Sequence, residues 1–150
     1  MKKIAILQCK NTKDELVCSS MACLKDFNEG NGTFKQHENP VLMGMLSCAG
    51  CPTAVGPEKL KQKIKGLAES GIEALHISSC IALLCPFKNK YISMIEKEFP
   101  GLEVIVGTHD APDDVKEQFK GMVKSFFSAE RQTIDLAGNE MAKQQQALAN

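Results

Sequence analysis

The chain has no tryptophan, a single tyrosine and only 5% aromatic residues. The absence of tryptophan removes the Trp-Cys sequence of thioredoxin-type redox sites. Charge of either sign is not in excess: 18 Lys and Arg balance 18 Asp and Glu. With no net field there is no general attraction for nucleic acid or an anionic membrane, and neither is expected as a partner. Local lysines such as those from Lys59 to Lys65 are read as the solvated face of a helix. No apolar run approaches the ~20 residues of a membrane span. The opening run Ile4-Ala5-Ile6-Leu7 is too short even for a signal peptide. The expected compartment is therefore the cytoplasm, where stable disulfides are rare. The Gly30-Asn31-Gly32 turn is not a phosphate loop, since no Gly-Lys-Ser/Thr follows it.

What is present is enough for one compact domain: 150 residues, 43% of them hydrophobic. Short apolar runs at Lys3 to Gln8, Val41 to Leu46, Ile72 to Ser78 and Leu102 to Val106 read as strands. Helical spacing places Leu60, Ile64 and Leu67 on one face of a helix that opens at Pro57 and stops at Gly71. A second helix runs from Asn89 to Phe99, and a third opens at Pro112. Residues Cys9 to Cys23 read as a polar, cysteine-bearing loop, becoming helical near Ser20 to Phe27. Strands alternating with helices imply a mostly parallel sheet covered on both sides. The expected fold is α/β: a three-layer sandwich of about four strands with flavodoxin-like order. This domain is assigned residues 1–128. From Ala129 to Asn150 the sequence is poor in large apolar residues, and a short appended helix or disordered tail is expected.

Seven cysteines are the unusual feature. In a cytoplasmic chain such richness points to metal or redox chemistry rather than to structural disulfides. The strand assignments give the cysteines a common location, because ligands of an open parallel sheet bind outside the carboxyl ends of its strands. Cys9 follows the first strand, Cys48 and Cys51 the second, Cys80 and Cys85 the third, and His109 the fourth. None of the three clear helices contains a cysteine. Zinc and iron–sulfur centres need about four ligands, mostly thiolates or imidazoles. The Cys48-Ala49-Gly50-Cys51 turn can bring two sulfurs to one side, with Gly50 free to take a positive φ. The candidate metal ligands are Cys9, Cys48, Cys51, Cys80, Cys85 and His109. Cys18 and Cys23 lie in the first loop at the same edge and carry no assigned role. His76, inside a strand, reads as a hydrogen-bonded core histidine, and His37 as an exposed loop residue.

These stretches resemble a known family. Ser47-Cys48-Ala49-Gly50-Cys51-Pro52 is similar to the central motif of CGGC-domain proteins. Ile4 to Cys9 with Asn11-Thr12 resembles the family's opening. Ile77 to Cys80 with Cys85-Pro86 resembles its next cysteine segment, and Val106 to His109 its closing strand. The resemblance covers roughly Met1 to His109. It implies a prokaryotic, cysteine-rich protein that binds metal, zinc being the usual suggestion, and it implies no reaction. Ala49 stands where the family motif has glycine, which is tolerable if that position has ordinary backbone angles. Two other functions compete: a thiol–disulfide oxidoreductase cycling Cys48 and Cys51, and a small-ligand binding domain whose cysteines are merely buried.

Overall fold

The computed structural model describes residues 1–51 and 56–125. The chain divides into two compact units, Met1–Asp110 and Ala111–Asn150. The first unit holds four strands: β1 (Lys3–Gln8), β2 (Val41–Ser47), β3 (Ala74–Ile77) and β4 (Glu103–Val106). They pair in the order β2-β1-β3-β4, every pair parallel. This is the flavodoxin-like order expected for the first four strands of a doubly wound sheet.

The central strands are buried on both faces, which is why β1 reads as one continuous apolar run. Side chains nevertheless alternate between the two faces. Ala5 and Leu7 point to the face packed by Leu60 and Ile64 of α3 (Gly56–Glu69) and Ile95 of α5 (Lys88–Glu98). Ile4, Ile6 and Ala74 point the other way. They meet Cys23 of α2 (Met21–Glu29) and Phe34, which lies in a short 3-10 helix over Gly32–Gln36. Helices on both faces of one sheet make the three layers.

Two further helices escape periodicity because they are short. α1 (Lys10–Asp14) and α4 (Ser79–Leu84) span five and six residues, too few for a 3.6-residue repeat to show. As a result Cys80 lies inside a short helix, and Cys23 lies in α2, within the stretch expected to become helical, while the three clear helices hold no cysteine among the described residues. In the second unit, residues 113–125 are helical after Pro112, with Asp113–Lys116 and Glu117–Lys120 ion pairs along the helix. The boundary expected after residue 128, and the tail beyond it, lie outside the described residues. Among the described residues no helix is long and apolar enough to cross a membrane.

One glycine locks the carboxyl edge of the sheet. Gly32 has φ +55°, and a Cβ there would lie 2.0 Å from the Thr108 carbonyl oxygen. The same approach lets Thr33 N donate to Thr108 O at 3.0 Å and Thr33 Oγ1 donate to Gly107 O at 2.8 Å. Gly32→Ala is expected to cost roughly 2 kcal/mol, from left-handed strain plus a clash with rigid backbone. Urea unfolding should give a lower midpoint at unchanged slope. A midpoint matching the parent would contradict this packing.

Candidate thiol and metal site

Cys9 and Cys48 leave adjacent strands at the same level. Gln8 pairs with Ser47 in register, and Cys48 N donates to Gln8 O at 2.9 Å. The next residues, Cys9 and Cys48, therefore share the face of Leu7, and both pack on the α3/α5 side. There the Cys48 side chain acts on Cys9 as a hydrogen-bond donor. That bond is the main reason the Cys9 thiol is pulled down to about 5. The Thr12 hydroxyl and the backbone N–H groups of Asn11 and Thr12, at the start of α1, add to it, against the opposing effect of burial. Cys48 is pushed far up because it is the donor to that thiolate and because it is buried. Lys10 N donates to Cys48 Sγ at 3.4 Å. The two thiols thus titrate as one coupled pair, Cys9 lowered and Cys48 raised.

Cys85 packs on the same face, and Cys51 follows at the end of the Cys48 turn. Burial raises both thiols, and the Cys9 charge raises both further. The phenol of Tyr91, in α5, is likewise raised, first by burial and then by charge at Cys51, Cys85 and Cys48. Cys51 is exposed, Cys85 half-buried and Cys48 buried. Gly50 takes φ +90°, as the motif anticipated, while Ala49 is not among the non-glycine residues of positive φ. The alanine that replaces the family's glycine is therefore unstrained.

Cys80 and His109 have different partners. Cys80 Sγ lies 2.9 Å from Ser78 Oγ. His109 Nδ1 lies 3.5 Å from Cys23 Sγ, which is also 3.3 Å from Thr108 Oγ1. Ser79 Oγ donates to His109 O at 2.6 Å and accepts from Thr108 N at 3.1 Å, fixing this turn against α4. Cys23 is raised mainly by its burial. Cys18 is exposed. Among the described residues no three His, Cys, Asp or Glu side chains are already grouped to hold a metal ion.

Sequence reasoning gave Cys23 no role, since nothing in a polar segment tells which way a helix will turn one thiol. It also missed that His37 is half-buried rather than exposed: its Nε2 lies 2.9 Å from His76 Nε2. His76 is fully buried and hydrogen-bonded, as expected, with Nδ1 2.9 Å from Thr33 Oγ1.

Comparison with known proteins agrees with the motif. The model of the CGGC domain matches residues 3–109. The uncharacterized protein MJ0582 of Methanocaldococcus jannaschii is 32% identical over 115 residues, covering 71% of this chain and 86% of that protein. The uncharacterized protein MJ0766 of the same organism is 29% identical over 69 residues, covering 45% of this chain and 98% of that protein. No solved structure gives a significant match.

Proposed function

This chain is a member of the CGGC-domain family, and from that premise we propose that it is a metal-binding protein whose centre is built on Cys9 and Cys48. Cys85, on the same face, and Cys51, at the end of the Cys48 turn, supply further thiolates. The observation that carries the reading is that Cys9 and Cys48 leave neighbouring strands in register and pack on one face, with Lys10 N, next to Cys9, 3.4 Å from Cys48 Sγ. Two thiolates on one tetrahedral zinc, each at about 2.3 Å, stand roughly 3.8 Å apart, which is hydrogen-bonding separation for sulfur. Cys9 is already ionised at neutral pH, so ligation there releases fewer protons than at four ordinary thiols. The donor set suits zinc or an iron–sulfur centre, both of which take sulfur ligands. Such an ion supplies charge and cross-linking at the sheet edge, and ligation would draw Cys51 and Cys85 inward.

Elemental analysis and an absorption spectrum of protein purified without air test this reading. Zinc or iron is expected in the parent and is lost from the Cys9→Ser, Cys48→Ser double variant. Metal-free parent protein with no affinity for either metal would end it.

The same arrangement favours one other reading, a dithiol–disulfide couple. Its partners would be Cys9 and Cys48, rather than the Cys48 and Cys51 suggested by spacing. Forming the bond removes two electrons and the remaining thiol proton, and needs an external disulfide as acceptor. A Cys9–Cys48 linkage found by peptide mass spectrometry after equilibration with oxidised glutathione would support it.

A further inference from the structure

The sheet has two outer strands, β2 and β4, and only one of them is protected. A free strand edge is a template for pairing with another chain, and proteins blunt it with bulges, charge or proline. β2 carries such a device. Its register on β1 slips between Leu42 and Gly44, so Met43 is an extra residue of the kind that kinks a strand. β4 has none. Val104-Ile105-Val106 contains no charge, proline or glycine, and its register on β3 is unbroken from Glu103 to Val106. Val106 is 47% exposed. A flavodoxin-like order continues with a fifth strand beside β4, and among the described residues none is there. We propose that this place is taken by β4 of a second copy of the chain, paired antiparallel, so that two four-stranded sheets join into one.

The backbone sets the register. Glu103 N donates to Glu73 O at 3.0 Å, and Gly107 N donates to Ile77 O at 2.7 Å. Hydrogen-bonding groups alternate sides along a strand, so residues 103, 105 and 107 address β3, and Val104 and Val106 turn their N–H and C=O groups outward. A two-fold axis at Ile105 sets Val104 of each copy opposite Val106 of the other. Each such pair exchanges two N–H···O bonds, the closely spaced pattern of an antiparallel ladder. Every outward group of the edge is then matched by the same groups of the second copy. A surface that completes itself about a two-fold is what a closed dimer requires. The side chains agree. Val104 packs with the α3/α5 cluster and Ile105 with the α2 cluster, so both apolar layers continue across the axis. Ile105 meets its own copy as a non-hydrogen-bonded pair, the closer of the two antiparallel spacings, where β-branched side chains pack well. Glu103, the one charge in the strand, is ion-paired with Lys2 and falls opposite Gly107 of the second copy, so no like charges meet.

Antiparallel pairing points the carboxyl edges of the two sheets in opposite directions. Both thiol sites stay open, and the association stands or falls apart from the metal reading. The contact is short, so the expected dissociation constant is on the order of tens of micromolar. Sedimentation velocity of the full chain in reductant, which excludes cysteine cross-links, checks it. The mass should rise from one 16.4 kDa chain to two as concentration passes through that range. Val106→Pro removes an outward N–H and leaves the β3 ladder intact, as proline does on edge strands. It should weaken association about tenfold or more, through the bond lost from each copy. Val106→Lys, which places a charge on the edge, should do the same and serves if the proline variant does not fold. Residue-resolved hydrogen exchange needs no variant: the Val104 and Val106 amides should be protected in concentrated protein and exchange several-fold faster after dilution. A chain that stays monomeric at about 0.5 mM, well above that constant, overturns the proposal. So does a dimer that survives both substitutions. Amides of Val104 and Val106 protected equally at every concentration also overturn it, because a segment of the same chain then covers the edge.

Discussion

Replacing Cys48 by alanine should raise the Cys9 thiol by one to two pH units and cut its thiolate fraction at pH 5 about 5- to 50-fold. The Cys48 hydrogen bond is the largest of the effects holding Cys9 down at about 5. A hydrogen bond to a charged group contributes about 1.5–3 kcal/mol, and one pH unit corresponds to about 1.4 kcal/mol. The variant does not reach an ordinary thiol value, because the Thr12 hydroxyl and the N–H groups of Asn11 and Thr12 remain. The measurement is the pH dependence of Cys9 alkylation in metal-free reduced protein, followed by peptide mass spectrometry. Cys48→Ser, which keeps a donor, should fall between the two. Parent protein whose Cys9 titrates near pH 8.5, as a free thiol does, would refute the coupled pair.

Stability should fall by about 3 kcal/mol as pH drops from 6.5 to 4, because His76 must stay neutral in the folded chain. Burial, and next the neighbouring His37, pull His76 down to about 4. The hydrogen bonds fix its form. Thr33 Oγ1 donates to Gly107 O, so it accepts from His76 Nδ1–H, and His76 Nε2 is left to accept from His37 Nε2–H. A proton added to His76 Nε2 has nowhere to go but against His37. Above pH 6.5 neither state binds this proton and its stabilisation is complete. Between 6.5 and 4 the unfolded chain takes it up and the folded chain does not, so stability declines with falling pH by up to about 1.4 kcal/mol per unit. His37, also lowered by burial, acts in the same direction. So does Cys9 near pH 5, but its share is common to parent and variant. Urea unfolding of parent and His76→Gln between pH 7 and 4 therefore isolates the histidine. Equal pH slopes in the two proteins would contradict a buried neutral His76.

The strands and the three main helices were legible because they are long enough to show a period or a bounded apolar run. Leu60 and Ile64 announce α3 by spacing alone, and Gly71 at φ +84° ends it where a stop was expected. The Cys-Ala-Gly-Cys turn was legible too, since only glycine tolerates the φ of residue 50. α1 and α4 were not, being shorter than two turns. His37 was misread because its neighbours in sequence are polar, while its partner in space is 39 residues away.

By itself, then, the sequence determined that this is a parallel α/β chain of the CGGC family whose cysteines gather toward one edge of the sheet. Tertiary structure alone decided how those cysteines are shared out. A strand sends successive side chains to opposite faces, so Cys9 joins Cys48, and Cys23 on the far face meets His109. Sequence spacing counts residues along a chain, and sulfur chemistry depends on which face and which neighbouring strand each residue reaches.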